Sequence, residues 1–208
     1  MEGVDGNGKD SLAPSRCSWP RRCRLVRQAP GWRLEGTAAF RHEDGTAACV
    51  SYAVECDEEW RTRIGEVRGW VGAYGLNLHL CRVSNGPWIL NDQVVDGLDG
   101  CVDLDLGFTP ATNLFQLRRM ALQVGQAAEI SVAWLDVPDG GLEVLRQRYE
   151  RRSAEEYDYQ APQFEYAAHL RVSPAGFVVK YPGLWEAEST GTQRFGDGSE
   201  HNGNGKTY

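Results

Sequence analysis

Residues 48–56 read Ala48-Cys49-Val50-Ser51-Tyr52-Ala53-Val54-Glu55-Cys56. Ala48, Val50, Tyr52, Val54 and Cys56 fall on one side of an extended chain, and Cys49, Ser51, Ala53 and Glu55 fall on the other. A period of two places one set on a buried face and its partner toward water, which is the signature of a half-buried strand. The same period recurs outward in both directions. Tyr74, Leu76, Leu78 and Leu80 alternate with Gly75, Asn77 and His79. Ile130, Val132 and Trp134 repeat it, as do Phe164, Tyr166, Ala168, Leu170 and Val172 against Glu165, His169 and Arg171. Turn signals separate these runs. Asp44-Gly45 and Asn85-Gly86 each join two strand candidates. Ser173-Pro174-Ala175-Gly176 closes a third hairpin onto Phe177–Tyr181. Strands joined by short turns predict a meander and argue against a crossover α/β fold. Two segments suit helix or strand alike: Leu114, Leu117, Ala121 and Val124, and Leu142, Leu145 and Tyr149.

Composition bounds what such a chain can do. Of 208 residues 41% are apolar and 25% charged, values of an ordinary globular protein. Residues 1–20 and 188–208 are rich in Gly, Ser and charge without apolar period, and read as a disordered leader and tail around a single domain, 21–187. The formal charge of −7 offers no basic stripe for nucleic acid; Arg21, Arg22, Arg24 and Arg27 read as solvated strand residues. No run reaches membrane-spanning length, and residues 1–20 lack the apolar stretch of a signal peptide. Six cysteines without a close CxxC pair predict reduced, mostly buried thiols in a cytoplasmic protein and no zinc ribbon. The seven tryptophans are expected mostly in the core.

Four features are candidates for chemistry. Gly3-Val4-Asp5-Gly6-Asn7-Gly8-Lys9 has phosphate-loop spacing, but Asp10 stands where a Mg²⁺-binding hydroxyl belongs and no strand precedes it, so no nucleotide site is expected. The run Asp99-Gly100-Cys101-Val102-Asp103-Leu104-Asp105 would, as a strand, set Asp103 and Asp105 on one face about 7 Å apart. That row is either a wet face over a core face or the carboxylate lining of a pocket. Thr109-Pro110-Ala111-Thr112-Asn113 is loop chemistry, and Arg118 or Arg119 beyond it could return beside the aspartates. On a strand only one of the two arginines can meet the row. The scattered histidines build neither a metal set nor a nucleophile–base pair.

These blocks together resemble the putative glycolipid-binding proteins of bacteria. The resemblance runs from Gly31-Trp32 to Trp185. It is carried by Ser51–Asp57 with Trp60-Arg61-Thr62-Arg63, by Asp99–Asp105, by Phe108–Asn113 with Arg118-Arg119, by Gln147-Arg148-Tyr149, and by Gly176–Trp185. It implies an all-β fold: a curved antiparallel sheet forming a β-roll or half-open barrel, similar to bacterial lipoprotein carriers, with both ambiguous segments mostly strand. The resemblance also favours Arg119 over Arg118 as the arginine that meets the aspartate row. Gln116 replaces the proline the family tends to place there, which leaves a short helical turn open at Leu114–Leu117.

The expected function is binding without chemistry, of a glycolipid or similar lipid in the concave face of the sheet. No cofactor, metal or catalytic residue is expected. Ten buried methylenes would contribute about 8 kcal/mol before association costs. The expected ligand-binding residues are Trp60, Asp99, Asp103, Asp105, Thr109, Asn113, Arg118, Arg119, Arg148 and Tyr149. The aspartates would accept from sugar hydroxyls, and Asn113 and the arginines would donate. Two other classes remain open. One is an enzyme acting on a carbohydrate or phosphoester through Asp99, Asp103 and Asp105. The other is an interaction module using an exposed sheet edge with few charges.

Overall fold

A computed structural model describes residues 22–42, 44–83, 86–137, 140–182 and 185–186. The expected leader and tail, Gly3–Lys9, Cys17 and Trp19 lie outside the described residues. Of the described residues 59% are strand, with one short α-helix among them. Seven strands come first: β1 (Arg22–Gln28), β2 (Gly31–Arg41), β3 (Ala47–Cys56), β4 (Thr62–Val71), β5 (Tyr74–Arg82), β6 (Trp88–Leu90) and β7 (Gln93–Val95). Each pairs antiparallel with the next to form sheet A. The alternation of residues 48–56 is realised in β3, where Ala48, Val50, Tyr52, Val54 and Cys56 are buried. Asp44 accepts from the Thr46 amide at 2.8 Å and shapes the β2–β3 turn. The β6–β7 loop is Asn91-Asp92, both at positive φ (47° and 67°), as a two-residue hairpin loop matched to strand twist requires.

Sheet B follows: β8 (Leu104–Leu106), β9 (Ala127–Leu135), β10 (Leu142–Arg151), β11 (Glu156–Ala161), β12 (Tyr166–Val172), β13 (Val178–Tyr181) and β14 (Trp185–Glu186). The order is β14-β13-β12-β11-β10-β9-β8, and the sheet curls into a half-barrel. One connection departs from the expected meander. β8 pairs parallel with β9, and the crossover is a 3₁₀ turn, Pro110–Thr112, followed by helix α1 (Asn113–Met120). The first ambiguous segment is therefore helix, correcting the strand implied by the resemblance. Thr109 caps the 3₁₀ turn through its hydroxyl, Pro110 opens it, and Arg118 and Arg119 lie at the negative C-terminal end of α1. The helix stops at Ala121, which takes the left-handed conformation (φ 46°). The expected helical face therefore ends early, and Val124 is exposed.

Two apolar cores result. The first joins the inner face of sheet A, including Leu34, Val50, Val54, Val67, Leu80 and Trp88, to Leu104, Leu106, Leu114, Phe115, Ala133 and Leu135. The sheets meet closely: a Cβ on Gly65 would lie 2.7 Å from a Leu104 methyl. The second fills the curl of sheet B with Val132, Leu145, Tyr149, Tyr157, Tyr159, Leu170 and Tyr181, and Leu117 of α1 plugs it. Each fully buried large apolar side chain contributes about 2 kcal/mol. Strands β9 and β10 serve both cores, with Leu142 and Val144 in the first and Leu145 and Tyr149 in the second.

Several side chains depart from expectation. Of the described cysteines Cys56 and Cys101 are buried, whereas Cys23 and Cys49 are exposed; all five are free thiols. Among the tryptophans with described side chains, Trp88 is fully buried and Trp70 is 46% exposed, because strand ends here reach solvent. No described helix is long and apolar enough to cross a membrane.

Candidate functional site

Only the end of the acidic run folds as β8, because Leu104 and Leu106 point into the first core while two side-chain hydroxyls hold its backbone. The Leu104 amide donates to Thr62 Oγ1 and the Leu106 amide to Thr112 Oγ1, each at 3.1 Å. The other face carries Asp103 and Asp105 under α1. Both are buried, so the wet-face reading is incorrect: the helix that follows β8 folds back and covers it.

Asp103 is fully buried and accepts a two-pronged bond from Arg119, Nε at 3.0 Å and Nη2 at 2.6 Å. Burial raises its pKa, and the guanidinium opposes that shift. Arg119 thus meets the row as expected, from a helix instead of a strand. Asp105 has no cation bonded to it. It accepts from Gln147 Nε2 at 2.6 Å, and burial pushes its pKa up to about 6.

Above Asp105 lies a buried amide–phenol network. Tyr149 OH donates to Gln116 Oε1 at 2.7 Å, and Asn113 Nδ2 donates to Tyr149 OH at 2.8 Å. Asn113 sits at the start of α1, Gln116 one turn on, and Gln147 and Tyr149 on the inward side of β10. The Gln116 amide lies beside Asp105 and eases its carboxylate, while Nε2 makes no well-formed hydrogen bond. A buried donor without a partner costs roughly 1–3 kcal/mol. The network therefore offers one donor without a well-formed bond and one carboxylate without a bonded cation, both buried.

A row of phenols continues it. Ring centroids of Tyr149 and Tyr159 are 5.0 Å apart, Tyr159 and Tyr181 5.4 Å, and Tyr181 and Tyr166 5.6 Å. Burial raises the pKa of all four, so they remain protonated donors.

Outside this nest, Trp60 stacks on Trp32 (centroids 5.1 Å apart), with Arg27 over Trp32 and Arg118 over Trp60. Trp60 holds φ 65° in a turn fixed by Asp57, whose carboxylate accepts the Glu59 and Arg61 amides. Arg118 also donates to the Ala175 carbonyl at 2.7 Å. A Cβ on Gly176 would crowd Leu114 at 2.7 Å, so the β12–β13 turn lies against α1.

Of the ten expected residues, the structure gathers Asp103, Asp105, Asn113, Arg119 and Tyr149. Trp60 and Arg118 meet each other at the surface. Thr109 is occupied as a cap and lies 3.4 Å from Tyr52 OH. Asp99 does not join: it is exposed in a turn. Arg148 does not join because alternation puts it on the face opposite Gln147 and Tyr149, where it pairs with Glu150 at 2.9 Å. Gln116, Gln147 and the phenol row were not singled out from sequence. A glutamine at an inward strand position, as at 147, was the available signal.

An open depression of about 510 Å³ lies on the outer side of sheet A, bordered by Arg24, Arg33, Glu35, Ser51, Glu66 and Arg68. Its charges are engaged with each other, as in Arg24–Glu35 and Arg33–Glu35. Among the described residues no group of three His, Cys, Asp or Glu is placed to hold a metal ion.

Residues 19–187 match the model of a family described as putative glycolipid-binding. A crystal structure of a DUF1089 family protein from Pseudomonas aeruginosa superposes with a TM-score of 0.72 at 28% sequence identity, covering 86% of this chain and 97% of that one. No curated protein matches the chain.

Proposed function

The chain belongs to the putative glycolipid-binding family, and from that premise we propose that it binds an amphiphile whose hydroxyl-bearing end is held beneath α1. The observation that carries this reading is the buried, cation-free carboxylate of Asp105 beside the Gln116 amide, which makes no well-formed hydrogen bond. A sugar hydroxyl both donates and accepts, so it can accept from Gln116 and donate to Asp105. The phenol row offers flat apolar faces that end in hydroxyls, suited to a pyranose ring. The hydrocarbon part would lie against the apolar side chains of the curl that Leu117 covers, uncovered when α1 moves.

No chemical step is part of this reading. A glycosidase-like pair needs two available carboxylates, and Asp103 is engaged by Arg119. Because the nest is covered, α1 must lift for the ligand to enter, releasing Arg119 from Asp103 and Arg118 from Ala175.

Native mass spectrometry of freshly purified protein, before and after a water-soluble short-chain glycolipid is added, tests the reading. A bound glycolipid is expected, with occupancy lost in Gln147→Leu and unaffected in Arg148→Ala. No uptake by the wild type, or equal uptake by a sugar-free chain of the same length, would overturn it.

A further inference from the structure

The β4–β5 hairpin breaks the rule that strands show charge to water. Between Arg68 and His79 the chain reads Gly69-Trp70-Val71-Gly72-Ala73-Tyr74-Gly75-Leu76-Asn77-Leu78, without one charged residue. Trp70 is 46% exposed and Tyr74 76%. The turn at its end uses Gly72 at φ +57°, and the Gly72 amide donates to the Ala47 carbonyl, setting this tip beside the β2–β3 turn. β5 pairs with β4 along Tyr74–Cys81 but with β6 only through Leu80–Arg82. Among the described residues, Tyr74–Leu78 is therefore an unpaired edge. Leu76 and Leu78 are half-buried and pack against the first core, so an apolar stripe runs inward from the tip.

We propose that this hairpin tip docks the protein on the interface of an uncharged lipid bilayer. Trp and Tyr are the side chains that settle at the water–lipid boundary, their rings in the apolar zone and their N–H or O–H among headgroups. A rigid strand partner fits the geometry less well. Register puts Trp70 on the outer side of the sheet and Tyr74 on the inner, so the two aromatics project from opposite sides of one protrusion, not from a single flat patch. A deformable surface accommodates both. Gly75 also weakens the edge as a strand template. Penetration is shallow, because the unpaired amides and carbonyls of Tyr74–Leu78 must stay hydrated. With a net charge of −7 and no cation on the tip, attraction does not depend on anionic lipid, and salt has little effect on it. The inference rests on the amphiphile-binding reading only for its purpose: the ligand resides in a bilayer, and the stripe leads from there toward the core.

Co-sedimentation with vesicles of phosphatidylcholine alone, without glycolipid, at low and high salt separates the two proposals. The wild type is expected to sediment equally at both. Trp70→Ser/Tyr74→Ser is expected to lower the partition coefficient by about tenfold or more through lost apolar contact, while keeping its melting temperature and its uptake of short-chain glycolipid. Val124→Ser removes an exposed apolar residue elsewhere (62% exposed) and should sediment as the wild type does. The proposal is overturned by a wild type that stays in the supernatant, which leaves the free edge to a peptide strand, or by a double variant that sediments undiminished. Vesicle binding without glycolipid uptake would support this proposal and sink the ligand reading; uptake without vesicle binding would do the reverse.

Discussion

Asp105 is buried, and its bonded partner is neutral, the Gln147 amide. Its native pKa of about 6 exceeds the unfolded value near 4. Between these values the native state holds a proton that the unfolded chain has released, so stability falls as pH rises from about 4 to about 6. The loss is roughly 3 kcal/mol at most, from 1.36 kcal/mol per pKa unit. Glu35 and Asp158 have lowered values from their arginine partners. They act below pH 4 with the opposite sign, and water screens them. Melting temperature followed from pH 4 to 7 should therefore decline in the wild type and flatten in Asp105→Asn, with any residual slope belonging to Asp103. An identical decline in both proteins would place the titrating group elsewhere. The sequence disclosed that Asp103 and Asp105 share a face. It did not disclose that the face is covered, because what covers it is a helix that follows eight residues later.

That helix is the least legible element. Leu114, Leu117, Ala121 and Val124 suggested one, but only the first half of the pattern is used: Ala121 turns left-handed and Val124 reaches solvent. β10 misled in the opposite way. Leu142, Leu145 and Tyr149 have helical spacing because the strand changes its buried face: Leu142 and Val144 at its start pack into the first core, and Leu145 and Tyr149 on the other face pack into the second. Where one face meets water, as in β3 and β12, alternation was read directly. The anchor of α1 gives an ordered prediction. Asp103 is fully buried, whereas Arg119 keeps 24% of its side chain exposed. Arg119→Ala leaves a carboxylate with no route to water, at a cost of about 3–5 kcal/mol. Asp103→Asn leaves a guanidinium that can reach solvent and should cost less. Urea denaturation of the two variants measures the order, and a larger loss in Asp103→Asn would show that the pair is not the buried anchor described.

At the scale of the molecule, hairpin turns foretold antiparallel sheets, and the resemblance foretold the curl. The division into two sheets was not legible, since nothing in the strand periods marks the stretch between β7 and β8 as a change of sheet. The first core crosses that division: Ala133, Leu135 and Leu142 of sheet B pack in one cluster with Leu34, Val50 and Leu80 of sheet A. The sheets should therefore unfold together. Tryptophan fluorescence, weighted toward sheet A, and far-ultraviolet circular dichroism should trace coincident denaturation curves. Two separated midpoints would show that each sheet stands alone.

Each sheet is laid down strand by strand, with neighbours in space that are neighbours in sequence. A ribosome therefore delivers all seven strands of sheet A before any residue of β8. Local pairing lets that sheet form as it emerges, but its inner face has no cover until Leu104, Leu106 and α1 arrive. Translation thus passes through an interval in which a finished half presents a bare apolar surface. Slow decoding across the β7–β8 link would lengthen that interval, making it the point in biosynthesis where a nascent chain most needs shelter from aggregation.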